Sequence, residues 1–186
     1  MKIFFYIVYA CWLLLEIILN RVLRSSSGDQ PLKSKQTLTI IWIAAIAATA
    51  IGGNLAEYTS FPLTGWTGIG WSGIGMILLG MIIRFIAIRS LGRFFTVDVA
   101  IRQGHMLKKD GMYKYVRHPA YSGSLLSFLG FAISLNNWVS LLIVVIPVTA
   151  AFLYRIRVEE AMLTASFGAE YEAYQRTTNR LLPGVY

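Results

Sequence analysis

The amino-acid sequence predicts an all-α integral membrane protein of about five transmembrane helices, the last two forming a C-terminal helical hairpin. Three observations carry this prediction. The 186-residue chain is 56% hydrophobic with a mean hydropathy of +0.58, against about 45–50% apolar content in soluble domains. Its apolar residues fall into runs long enough to enter a bilayer. Its 17 Lys and Arg residues collect in the gaps between those runs. A net charge of +8 alone would admit a nucleic-acid partner, but cations confined to inter-span gaps are the mark of membrane topology, not of a nucleic-acid stripe. One membrane domain is expected over residues 1–186, with three N-terminal spans in 1–88 and a core in 89–186.

In chain order, Ile3–Leu19 is apolar apart from Glu16. It lacks a sizeable basic lead-in and a small-residue cleavage site, so a span is expected and not a signal peptide. Arg21–Gln36 is a polar loop broken by the SSSGDQP run. Thr37–Leu55 is a second span, whose small residues suit close helix packing. Glu57–Gly68 is a short loop without Lys or Arg. Ile69–Ile88 is a third span, with Gly70, Gly73, Gly75 and Gly80 along it and Trp66 and Trp71 placed for an interface. Arg89–Tyr121 is a polar block. Ser122–Leu135 and Trp138–Tyr154 follow as two apolar arms joined by Asn136-Asn137, a joint suited to a tight helical hairpin. The first arm has about 14 residues, roughly 21 Å of helix. Against a hydrocarbon layer of roughly 30 Å, it must begin inside the polar block or stop short of the far surface. Pro147 is expected to kink the second arm. Arg155–Tyr186 is a polar, helix-prone tail. Cys11 cannot form an internal disulfide and is expected to be a small buried apolar residue.

Cation placement sets the orientation. The Arg21–Gln36 loop holds four, the block from Arg89 seven and the tail from Arg155 four, whereas the Glu57–Gly68 loop and the Asn136-Asn137 turn hold none. Five alternating spans with the N-terminus outside and the C-terminus inside put every basic segment in the cytoplasm.

Several polar groups invite a chemical reading. Glu16 and Arg84 lie inside spans, each five residues before a basic residue at the span's end (Arg21 and Arg89), so they can pair at similar depth, snorkel to the headgroups or serve a substrate. Arg155 and Glu159 are four residues apart and share a helix face at the membrane exit. A carboxylate there can hold an ammonium group and a guanidinium can hold a carboxylate. His105 and His118 have no cysteine nearby and stand 13 residues apart, a poor ligand set, so no metal site is expected. Proline holds the residue before it in extended geometry, so His118-Pro119 can present an imidazole to a ligand. Gly92, Gly104 and Gly111 form no phosphate-binding pattern, and neither a Rossmann site nor a Ser-His-Asp arrangement is legible.

Two motifs make the C-terminal half recognisable. HMLKKDGMYKYVRHPAYSG, followed by a hairpin, RIRVEEAMLTASFGAEYEAY and a late LLP, resembles the isoprenylcysteine carboxyl methyltransferase family over roughly Arg93–Pro183. Phospholipid N-methyltransferases share parts of the pattern. The resemblance implies a cytosolic pocket for S-adenosyl-L-methionine, with S-adenosyl-L-homocysteine as product. By motif position it places cofactor contacts on His105, Met106, Leu107 and Lys108, on Tyr113, on His118, Pro119, Ala120 and Tyr121, and on Glu159. Arg155 takes the position of the catalytic, substrate-associated arginine. The polar Lys108-Lys109-Asp110 departs from the apolar residue the family often has at the first of these positions. The implied reaction is direct methyl transfer to a lipophilic or lipidated acceptor entering from the bilayer, most simply carboxyl O-methylation, with membrane lipids as surroundings and no nucleic acid. An amine N-methyltransferase, an NADPH-dependent membrane sterol-type reductase and a non-enzymatic membrane adaptor are the alternatives.

Overall fold

The structure, a computed structural model, describes residues 2–22, 30–31, 34–92, 100–101 and 106–184. Five long helices carry the fold: α1 (Lys2–Val22), α2 (Ser34–Tyr58), α3 (Ile69–Leu91), α4 (Pro119–Ser134) and α5 (Trp138–Phe167). A short α6 (Ala169–Thr177) follows. A two-residue antiparallel pair, β1 (Gln30–Pro31) with β2 (Ala100–Ile101), ties the first basic loop to the central polar block. The all-helical integral membrane architecture is the one expected.

Each helix end has a local cause. Pro119 occupies the first turn of α4, where a missing amide hydrogen costs nothing. The short arm therefore does begin inside the polar block, three residues before the expected Ser122. Asn136 turns the chain at a φ of 49°, and the Asn137 side chain caps α5 by accepting from the Ser140 amide at 3.1 Å. Pro147 lies within α5, which continues through it. The thirty residues of α5 reach about 45 Å, well past a hydrocarbon layer of about 30 Å. What was expected as a separate tail from Arg155 is thus, as far as Phe167, the same helix projecting out of the apolar layer. Gly168, at a φ of 52°, ends it and starts α6.

By length and apolarity, α2 from Gln36, α3 and α5 can each cross a membrane, and α1 adds the shorter apolar stretch Ile3–Leu19. With sixteen residues, about 24 Å, α4 is the shortest of the five. The helices alternate in direction. At one end the Asn136-Asn137 turn meets the cation-free loop: Asn137 Nδ2 donates to Thr59 O at 3.1 Å, Asn136 Nδ2 to Thr64 O at 3.1 Å, and the Trp138 amide to Phe61 O at 2.9 Å. Tyr6 donates to Glu57 at 3.0 Å at that same end. At the opposite end, Arg117, Arg155 and Arg180 gather around the exit of α5.

In lipid, apolar burial does not drive helices together; close packing and hydrogen bonds do. Here α3 and α4 meet backbone to backbone. A side chain added at Gly123 would come within 2.6 Å of the Gly80 carbonyl oxygen, and one at Gly130 equally close to that of Gly73. Ser127 Oγ donates across this seam to Ile77 O at 3.1 Å. Between α2 and α5, Ser140 Oγ donates to Gly52 O at 2.7 Å. Trp12, Ile77, Phe128, Phe131, Val144, Val148 and Phe152 fill the interior, while Ile43, Ile46, Leu79, Ile82, Leu142 and Ile146 face outward as a lipid-directed surface. Cys11 also faces outward, contrary to expectation, because it falls on the side of α1 turned away from the bundle. Of the three readings open to Glu16 and Arg84, the structure realises the pair. Arg84 Nε is 2.9 Å from Glu16 Oε1, and Arg84 Nη1 donates to Ala120 O at 3.3 Å, linking α1, α3 and the first turn of α4.

Two outcomes follow for stability in detergent. Gly80→Leu should lose about 1–3 kcal/mol by overpacking the α3–α4 seam, whereas the outward-facing Gly75→Leu should be nearly neutral; thermal unfolding monitored by circular dichroism distinguishes them. Replacing either member of the ion pair, as Glu16→Gln or Arg84→Met, should cost about 3–5 kcal/mol, and the double replacement much less than the two losses added together.

Candidate functional site

The basic end is built by three stretches of chain folding onto one another. A 3₁₀ turn at Gly111–Lys114 buries Tyr113, whose hydroxyl donates to Ala87 O at 3.4 Å. From α6, Tyr174 Oη donates to the Tyr113 carbonyl at 2.5 Å. Residues 115–118 then run beside residues 179–181. The Asn179 amide donates to Tyr115 O (3.1 Å), the Arg117 amide to Asn179 O (2.8 Å) and the His118 amide to Arg180 O (3.0 Å). Ser122 Oγ adds a bond to Leu181 O at 2.6 Å. This strap holds His118 ahead of Pro119 with its side chain buried; its φ of -123° and ψ of 55° keep it out of the helical region but short of the extended geometry expected, because the two backbone bonds to residues 179–180 and the start of α4 set its ψ.

The last turns of α5 supply the charges. Arg155 is only 2% exposed. Its Nη1 donates to Thr37 Oγ1 at 3.0 Å and its Nε to Tyr121 Oη at 2.8 Å. Tyr121 in turn donates to Glu159 Oε2 at 2.6 Å. A hydrogen-bonded chain therefore runs from the start of α2, through Arg155 and Tyr121, to Glu159. The His118 ring stacks on that of Tyr121, with centroids 5.5 Å apart and planes 14° from parallel, and its Nδ1 is 4.0 Å from Glu159 Oε1.

Glu160, the next residue, faces elsewhere. Its Oε1 accepts from Arg117 Nε at 2.9 Å and lies 3.4 Å from His118 Nε2, and its Oε2 accepts from Arg180 Nε at 2.8 Å. Arg117 also reaches the carbonyls of Gln175 and Thr178. Burial and then the nearby Glu159 carboxylate push the Tyr113 phenol up, and burial pushes that of Tyr174 up to about 12, so both remain protonated donors.

Of the residues singled out in the sequence, His118, Tyr121, Arg155 and Glu159 form one cluster. Pro119 and Ala120 are buried beside it in the first turn of α4, and Tyr113 lies near enough to feel Glu159. Met106 is exposed and Leu107 half-buried. Lys108 Nζ is held 2.9 Å from Asp110 Oδ1, so its side chain is turned to its own loop, and hydrogen bonding from Lys108 is what most lowers the Asp110 carboxyl. Lys109 pairs with Glu170 of α6 at 2.6 Å. His105 lies outside the described residues. Among the described residues no group of His, Cys, Asp and Glu could hold a metal ion. Missing from the expected set were Arg117, Arg180 and Tyr174, which fix the cluster without joining it. The signal lay in the EE pair itself. Consecutive residues on a helix point about 100° apart, so one of the two carboxylates had to find cations of its own.

Comparison with known proteins identifies the family. The sequence profile of the isoprenylcysteine carboxyl methyltransferase (ICMT) family matches residues 73–165, half of the chain. A protein-S-isoprenylcysteine O-methyltransferase of Schizosaccharomyces pombe is 37% identical over 102 residues, covering 54% of this chain and 43% of that protein. Protein-S-isoprenylcysteine O-methyltransferase B of Arabidopsis thaliana is 36% identical over 104 residues, covering 55% and 53%. The solved structure of the eukaryotic intramembrane Ras methyltransferase, isoprenylcysteine carboxyl methyltransferase, superposes with a TM-score of 0.60 at 26% identity, over 77% of this chain and 52% of that one. The chain thus spans about half the length of the relatives it matches. The profile match across α3, α4 and most of α5 and the likeness of the helical bundle agree: this chain belongs to the isoprenylcysteine carboxyl methyltransferase family.

Proposed function

We propose that this protein is an S-adenosylmethionine-dependent methyltransferase acting on a lipophilic acceptor drawn from the bilayer, the carboxylate of a prenylated cysteine being the first candidate. The observation that carries the proposal is the Arg155–Tyr121–Glu159 chain, flanked by His118, where α5 leaves the apolar layer. The names of the relatives support the same chemistry, and a family of methyltransferases calls for a methyl donor.

The donor set fits a sulfonium nucleoside. Glu159 offers a carboxylate to an ammonium group, and the stacked His118 and Tyr121 rings offer an aromatic wall. Pro119 and Ala120 keep the adjoining surface small and apolar. When bound, S-adenosylmethionine supplies a methyl group on positively charged sulfur that needs no metal activation. The protein's part is then alignment and exclusion of water. Tyr121 holds the Glu159 carboxylate by a hydrogen bond and is itself fixed by Arg155 Nε. Arg155, buried and bonded to Tyr121 and Thr37, orients an acceptor carboxylate. Such an acceptor is already ionised at neutral pH, so no strong general base is required. The apolar part of the substrate reaches the site laterally between helices, and the nucleoside from the aqueous side. Cation placement puts the basic end, with the C-terminus and the site, in the cytoplasm and the N-terminus outside.

Calorimetric titration of the purified protein with S-adenosylhomocysteine should show binding, weakened about tenfold or more by Glu159→Ala. A wild type that binds nothing sinks the proposal. Arg155→Lys keeps the charge but cannot reach Tyr121 and Thr37 in the same geometry. It should lower turnover on the order of 10²-fold while S-adenosylhomocysteine affinity stays within about threefold. With labelled S-adenosylmethionine and a farnesylcysteine analogue, the product label should be base-labile, as a methyl ester is. Base-stable label from a lipid amine would move the protein to N-methylation.

A further inference from the structure

One buried polar atom at the basic end is unaccounted for. Tyr171 is 1% exposed, yet its hydroxyl finds no hydrogen-bond partner among the described residues. Buried hydroxyls are nearly always bonded, and leaving one without a partner costs stability. The position of the ring narrows the reason. Gly168 turns the chain so that α6 packs back against the exit of α5, where Glu159 and Glu160 sit. Tyr171 stands in the first turn of α6, its ring 6.0 Å from that of Tyr174. Tyr174 is fully employed, bonding the Tyr113 carbonyl. On the other side Arg117 reaches the Gln175 carbonyl of the same helix. The Tyr171 ring is therefore enclosed between α5, the Arg117–His118 strap and Tyr174. Burial first, then the carboxylates of Glu160 and Glu159, push its phenol up, which keeps it a protonated donor beside the acidic pair. Neither carboxylate takes that proton. Both Glu160 oxygens are engaged by Arg117, His118 and Arg180, and Glu159 Oε2 accepts from Tyr121.

We infer that Tyr171 is a further binding residue of this site, its hydroxyl donating to an acceptor on the bound sulfonium nucleoside. The inference rests on the proposed function and assigns to α6 a direct part in ligand recognition, beyond its bond to Tyr113. Tyr171→Phe removes the oxygen alone and tests it. In the full-length protein in detergent, S-adenosylhomocysteine affinity should fall about three- to tenfold, while the ligand-free melting temperature stays the same or rises, because an unpaired buried hydroxyl has been removed. Unchanged affinity in a variant that otherwise binds as wild type does would overturn the inference while leaving the proposed function standing. A lower ligand-free melting temperature would overturn it too, by showing that the hydroxyl serves the fold. Absence of binding to the wild type would remove both.

Discussion

A single buried carboxylate organises the charged end of this protein. Glu160, 4% exposed, is met by Arg117 from the segment before α4, by Arg180 from the strap after α6, and by His118. A carboxylate taken out of water is tolerated only when paired and hydrogen-bonded, and it becomes a liability when any partner is withdrawn. Three stretches far apart in sequence are thus obliged to meet at one point. Their meeting fixes His118 before Pro119, which sets where α4 begins. The phase of α4 then puts Tyr121 in the first turn of the helix, opposite Arg155 and Glu159 on α5.

The two consecutive glutamates divide the work. Glu160 is locked among cations and holds the scaffold. Glu159, about 100° round the helix, keeps one contact with Tyr121 and one near approach from His118. A helix that leaves the membrane carrying an acidic pair therefore serves structure and recognition from adjacent positions. The same economy appears deeper in the bundle, where Arg84 answers the charge of Glu16 and also braces the Ala120 carbonyl at the start of α4. The glycine seam between α3 and α4 makes this reach short enough, since a Cβ at Gly123 would press on the backbone of Arg84 itself.

Much of this was legible in the sequence. Long apolar runs separated by basic gaps specified alternating helices, and Asn136-Asn137 marked the hairpin. His118-Pro119 announced a non-helical residue before a helix start, although its ψ of 55° falls short of the extended value expected. The pairing of Glu16 with Arg84 was legible as one of three outcomes, because depth follows from distance to the span end while rotation about the helix does not. Cys11 shows the same limit: an apolar run reveals burial in lipid or in protein but not which. The length of α5 was underestimated because polarity begins at Arg155 whereas helicity does not end there. Arg180 and Tyr174 were out of reach for a different reason. Their roles depend on where Gly168 sends the chain, and a positive φ at a glycine is a permission, not an instruction.

The thread from Thr37 to Arg155 has one more implication. The family's sequence profile matches residues 73–165, from α3 to near the end of α5, yet Thr37, Tyr174 and Arg180 all lie beyond that match and complete the cluster within. The boundary of that match is therefore not a seam in the molecule. Grafting that stretch between relatives would transplant the reacting groups without their foundations, and chimaeras would need to carry the opening turn of α2 and everything through the closing strap.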